Sequence, residues 1–308
     1  MTALLLLPLL LPCALPVLAR RALARLAPAA ALWAVTLCAV ALAGCSLAAL
    51  GAFVLIGLLR LPLFAAFGEF IHPLHTASAL IVVPAAATSV GVLAVCCLTL
   101  VRSVLRQSRA FRIARTEAGR RPAAGDLCVV DSPRPDAYAL PGRPHRIVVT
   151  TAMLRSLDGP EREALFAHER AHNEGGHHYF LAAAELAAHC HPALRPVRTT
   201  IRLAAELAAD EAAAARVGDR RLTARAIARA ALAGHAARTP RPDFAAAATT
   251  GPVPQRVQAL LGAPGRPRAG RAVAALLIAC TALSGAAAAA GLVDFHHRVE
   301  VAQGEETP

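Results

Sequence analysis

The sequence predicts a mainly α-helical membrane protein, with about four membrane-spanning helices around one polar domain that carries a small β element. Three observations predict it. Hydrophobic residues make up 56% of the 308 while aromatics reach only 4%, so the apolar content is chiefly Ala, Leu and Val. The mean hydropathy of +0.50 is high for a soluble enzyme. Four apolar runs are interrupted by a single long polar segment, in which the residues able to do chemistry are concentrated.

The first run, Ala3 to Ala19, carries Pro8, Pro12 and Pro16 at helical spacing. Its charges, Arg20, Arg21 and Arg25, follow the apolar stretch, whereas a secretory signal places them before it. A kinked membrane helix is therefore expected. The second run, Ala29 to Leu59, exceeds the roughly 20 residues that a bilayer requires. The third spans about Ala77 to Val101 and the fourth Ala272 to Val293. These runs divide the chain into a membrane region with three spans (1–101), a polar domain (102–271), a fourth span (272–293) and a short tail (294–308). The loop between the second and third spans, "LFAAFGEFIHPLH", holds Glu69, His72 and His75 among Phe64, Phe67 and Phe70, and reads as an interfacial anchor.

Arginine placement orients the chain. Clusters at 20–25, 102–115 and 266–271 share one side if all four runs span, while loop 61–76 has no basic residue. By the positive-inside rule that side is the cytoplasm, which puts the polar domain in the cytoplasm of a multi-pass plasma-membrane protein and both termini outside. The net charge of +12 raises nucleic acid as a ligand, yet the arginines flank apolar runs and are not interleaved with aromatics. Direct nucleic acid binding is not expected; the lipid bilayer is the partner that these charges fit. All 32 basic residues are arginine, which with the Ala and Pro excess reads as codon bias rather than function. Of the eight cysteines, only Cys128 and Cys190 lie in the polar part, and no CxxC pair or disulfide framework appears.

Within the polar segment "LCVVDS" and "HRIVVT" read as short strands from their β-branched content. A helix follows, with Asp158 as its cap, Pro160 in its first turn and Glu161 completing a box three residues on. Gly175 and Gly176 end it. Two further helices, about 178–190 and 192–217, meet at Pro192, and 237–254 reads as a loop.

The first of these helices contains "LFAHERAHNEGGHH" (165–178). His168 and His172 stand four apart, so they share a face with Cβ atoms about 5–6 Å from one another. That separation lets both imidazoles hold one metal ion at about 2.0–2.1 Å. Glu169 lies off the metal axis, where a carboxylate can act as general base toward an attacking water. With 12 His and 12 Glu in the chain, chance supplies roughly 0.02 such patterns. Two candidates compete for the third ligand. His168 to His178 fits H-E-x-x-H-x-x-G-x-x-H with His178 as ligand, but that pattern needs a downstream methionine turn, and the only methionines, Met1 and Met153, lie upstream. The alternative is Glu206 in "LAAELAADEAAA", with Asp210 one turn on and able to orient a ligand histidine. Glu206 is favoured.

The strings "IVVTTAML", "ALFAHERAH", "HPALRPVRTTIRLAAELAADEAA" and "PVPQRVQALL" together resemble the BlaR/MecR-type membrane zinc metallopeptidases, relatives of the CAAX-prenyl-protease and heat-shock membrane proteases with H-E-x-x-H…E-x-x-x-D sites. The resemblance covers about 115–262. It implies a gluzincin-like fold for the polar domain, Zn2+ on His168, His172 and Glu206, a base at Glu169 and support from Asp210. It further implies that "HRIVVT" is an edge strand on which substrate adds itself, and it assigns no definite role to Arg256. The tail leaves no room for the penicillin-binding domain of the β-lactam-sensing members, so sensing of that kind is not expected. The activity implied is that of a zinc-dependent endopeptidase cleaving a protein substrate, for instance a cytoplasmic transcriptional repressor in signal transduction. The alternatives are a membrane quality-control protease and a non-catalytic sensor or scaffold that keeps the fold.

Overall fold

A computed structural model of the chain describes residues 2–58, 79–120, 123–235, 252–262 and 270–304. The Glu69/His72/His75 loop lies outside the described residues. Helices dominate, and four of them are long and apolar enough to cross a membrane: Leu4–Arg25, Pro28–Leu58, Val83–Gly119 and Gly270–His297.

The first of these spans is interrupted, as its prolines require. Helices α1 (Thr2–Leu10) and α2 (Leu15–Arg25) are joined by a 3-10 turn over Leu11–Ala14. Pro12 has no N–H to offer the Pro8 carbonyl. Ser46 Oγ of the next helix donates to that carbonyl at 2.8 Å instead. The neighbouring Leu9 carbonyl takes a hydrogen bond of 3.0 Å from His191 Nε2, whose Nδ1 accepts from the Ala193 backbone N–H and so leaves the proton on Nε2. The kink is thus satisfied from outside, partly by a residue of the polar segment.

Helix α3 (Pro28–Leu58) is followed by α4 (Ala79–Gly119), which passes through residue 102 without a break. Arg and Ala are strong helix formers, so the helix persists after its hydropathy has ended. A four-stranded sheet follows, β1 (Ala123–Ala124), β2 (Leu127–Val130), β3 (Ala137–Leu140) and β4 (Arg146–Thr150), in the order β1-β2-β4-β3. Here one expectation is corrected. "HRIVVT" forms β4, but β4 is interior, parallel to β2 and antiparallel to β3. The physical reason is β3 itself, "AYAL", too short and too poor in β-branched residues to stand out in the sequence. Strands β3 and β1 form the edges.

After the short α5 (Thr151–Ser156) come α6 (Gly159–Glu174), α7 (His177–Cys190), α8 (Val197–Val217), α9 (Arg220–His235), α10 (Val253–Leu261) and α11 (Gly270–Gly304). Helices α7 and α8 do not hang apart from the membrane helices. Phe180, Ala184, Ile201 and Ala205 share one core with Ala19 of α2, Leu32, Val35 and Leu42 of α3, and Leu277 of α11. Phe180 also meets the Trp33 ring edge-on at 4.7 Å. A second core, with Leu165, Ala214, Ile227 and Leu260, joins α6, α8, α9 and α10. Helices α6 and α8 are the members that position the candidate site.

Candidate metal centre

Helix α6 starts where its cap dictates. Asp158 Oδ1 accepts from the Glu161 N–H at 2.9 Å while Glu161 Oε2 accepts from the Asp158 N–H at 3.2 Å. This fixes the register of the helix, and two ties fix its position on the sheet. Arg170 makes a bidentate pair with Asp126, at 2.6 and 2.8 Å, and Asn173 Nδ2 donates to the Arg146 carbonyl of β4 at 3.2 Å. The face that turns away from these ties carries His168 and His172 into α8.

On α8, Glu206 and Asp210 stand one turn apart among buried alanines and leucines, facing the histidines. His168, Glu169 and Glu206 are 0% exposed, Asp210 1% and His172 2%. The Nε2 atoms of His168 and His172 approach to 3.1 Å. Glu206 Oε2 lies 3.5 Å from His168 Nε2, and its Oε1 lies 3.8 Å from His172 Nε2. Ligand atoms about 2.0–2.1 Å from a tetrahedral ion stand roughly 3.3 Å apart. The three separations bracket that value. Among the described residues Glu206 Oε1 finds no hydrogen-bond donor. Burying a carboxylate oxygen unpaired is expensive, and a divalent cation between the three residues removes the cost. The set fits a metal ion, and His168, His172 and Glu206 are the only such grouping among the described residues.

Around this set lies Arg256 of α10, itself 0% exposed. Its Nε and Nη2 bond the two Asp210 oxygens at 2.8 and 2.6 Å, and its Nη1 lies 3.0 Å from Glu206 Oε2. Asp210 Oδ1 also lies 2.9 Å from His168 Nδ1, on the side of the ring away from Glu206. Three buried carboxylates (Glu169, Glu206 and Asp210) surround one guanidinium, and the protonation equilibria respond. Burial works against the Glu206 charge, but Arg256 and the imidazoles outweigh it and hold the carboxyl well below its ordinary value. Asp210 is lowered against its burial in the same way, by Arg256 and then His168. Burial works against a charged His168 too, yet Asp210 and Glu206 push it up to about 9. The two lowered carboxyls report the cationic groups beside them, and the raised His168 reports the carboxylates that face it.

The rival ligand is not brought in. His178 stacks on Tyr179 with ring centroids 3.9 Å apart and stays half-buried outside the cluster. Its neighbour His177 does enter, with Nδ1 at 2.8 Å from His172 Nδ1. Burial, and then the charge of His172, push His177 down to about 3. His189 lies outside the cluster, 3.4 Å from Glu185 on its own helix. Sequence reasoning left Arg256 without a role and did not separate His177 from the other histidines. The available signal for Arg256 was a lone arginine among Val253, Val257 and Leu260 in "PVPQRVQALL", since a buried arginine requires anionic partners.

A buried His–His–carboxylate set with a further carboxylate on the helix that carries both histidines is a candidate centre of the metallopeptidase type, in a chain with four helices long and apolar enough to cross a membrane. Residues 106–191, which include the whole sheet, α6 and α7, match Peptidase family M48. This bears out the resemblance read from the motif strings. No curated protein and no solved structure matches the chain. The matched segment contains His168, Glu169 and His172; Glu206, Asp210 and Arg256 lie beyond it and rest on the geometry above.

Proposed function

We propose that the protein is a zinc-dependent endopeptidase of the plasma membrane that cuts a protein substrate at the cytoplasmic face. The observation that carries the reading is the buried cluster of His168, His172 and Glu206, with Glu169 on the same helix as the two histidines. Those three would hold the ion. When bound, zinc polarises a peptide carbonyl and lowers the pKa of a water to about 7. Glu169 takes the proton of the attacking water and hands it to the leaving amine. Asp210 holds His168 through Nδ1, so that Nε2 faces the ion. Arg256 keeps Asp210 and Glu206 ionised in a dry site.

Substrate would add as an extended strand along β3, the sheet edge that packs against α6, with main-chain hydrogen bonds supplying affinity. Cytoplasmic placement follows from the three arginine clusters, and it puts the site in reach of a soluble intracellular protein. A transcriptional repressor is the form of substrate that a signalling role requires, and a damaged membrane protein is the form that quality control requires. A scaffold without catalysis is the third alternative. The test compares the cellular proteins of wild-type and Glu169→Gln strains. The proposal expects one or more proteins to accumulate uncut in the variant while the membrane fraction keeps its zinc. Identical protein profiles with an unchanged output would favour the scaffold.

A further inference from the structure

His172 has two ring nitrogens with different duties. Nε2 faces His168 Nε2 and Glu206, at 3.1 and 3.8 Å. To offer its lone pair on that side, the ring must carry its proton on Nδ1. Nδ1 points the other way, to His177 Nδ1 at 2.8 Å. Two ring nitrogens at that distance share one proton, so His177 Nδ1 is the acceptor and His177 carries its own proton on Nε2.

The place of His177 is built by the two glycines that precede it. Gly176 turns the chain at φ +61°, a left-handed conformation that glycine adopts without strain. A Cβ on Gly175 would come within 2.6 Å of His177 Nε2. The His177 ring is 6% exposed and meets the His172 ring at 83°, with Phe180 behind it at 6.5 Å between centroids. Nothing about this ring suits a ligand: it stands behind His172 rather than beside the three ligand atoms.

We propose that His177 is a positioning residue that holds His172 in its ligand tautomer and orientation by accepting the Nδ1–H, from the side of the ring that on His168 faces Asp210 Oδ1 at 2.9 Å. The two histidines are then supported unequally. His168 leans on an anion, which adds to its basicity. His172 leans on an imidazole with its Nδ1 unprotonated, which orients the ring and adds no charge. The role rests on reading His168, His172 and Glu206 as the metal set.

The experiment measures zinc affinity of the full chain in detergent by competition with a chelator, for wild type, His177→Phe, His177→Asn and Gly175→Ala. Phenylalanine keeps the ring volume without an acceptor; asparagine keeps an acceptor oxygen near the Nδ1 position. His177→Phe should weaken zinc by about 10–100-fold, in the range of other residues that support ligands, and His177→Asn should recover most of the loss. Gly175→Ala, which presses on the ring, should weaken zinc as well and keeps the test decisive should the Phe variant not fold. Wild-type affinity in His177→Phe or in Gly175→Ala, or equal losses in Phe and Asn, would overturn the role. A wild type that holds no zinc would instead overturn the metal-site reading beneath it.

Discussion

Replacing Arg256 with Gln removes the guanidinium that pairs with both Glu206 and Asp210, two carboxylates almost wholly withdrawn from water. Asp210 loses a bidentate pair at 2.8 and 2.6 Å, and Glu206 loses its contact at 3.0 Å. Both carboxylates are at most 1% exposed, so water cannot take the place of the guanidinium. Removing one partner of a buried ion pair costs about 3–5 kcal/mol, because the charge left behind is uncompensated. At about 1.4 kcal/mol per factor of ten, the opening of α6 and α8 becomes roughly two to four decades more frequent. Amide hydrogen exchange read by mass spectrometry measures this directly, with full-length protein in detergent and the metal chelated. Zinc should restore part of the lost protection, because the ion supplies positive charge to Glu206 directly and to Asp210 only through His168. A loss of protection smaller than tenfold in the chelated variant would refute the reasoning, since the carboxylates would then not depend on Arg256 for their charge.

The remaining predictions concern the helix and the supports of its ligands. Asp210→Asn leaves the size of the side chain but weakens its hold on His168, and zinc affinity should fall about 10–100-fold in a chelator titration. The Asp126–Arg170 pair should be acid-sensitive. Hydrogen bonds from Arg170 hold the Asp126 carboxyl below its ordinary value, so its stabilisation is present above the unfolded pKa and is lost as pH falls through the folded one. Exchange protection of α6 should therefore drop below about pH 4 in wild type. In Asp126→Asn the part of that drop due to this pair should vanish, and an unchanged acid profile would count against it.

Much of the architecture was legible because local chemistry decided it. Each span exceeds or nearly reaches the length of a bilayer, and the Asp158/Glu161 box announces α6 by itself. His168, Glu169 and His172 were legible for the same reason, since one helix fixes their spacing. Glu206 and Asp210 were readable as a pair one turn apart, though only the fold brings them to the histidines. What stayed hidden depends on contacts distant in the chain. The strand β3 exists because β4 pairs with it, not because "AYAL" prefers extension. Arg256 reaches Asp210 across 46 positions and His191 reaches Leu9 across 182, and no local period encodes either contact. The left-handed Gly176 precedes His177 and His178, of which the first turns inward to His172 and the second stays on Tyr179.

The central claim is that His168, His172 and Glu206 together hold one zinc ion. Metal content of the purified full chain, measured by plasma mass spectrometry, tests it most directly when wild type is set beside Glu206→Ala, His178→Ala and Glu169→Gln. The account predicts one zinc per chain in wild type, in His178→Ala and in Glu169→Gln, with hydrolysis lost only in the last of these, and little or no zinc in Glu206→Ala. Zinc retained in Glu206→Ala but absent from His178→Ala would contradict it, because the third ligand would then come from the end of the histidine helix rather than from α8.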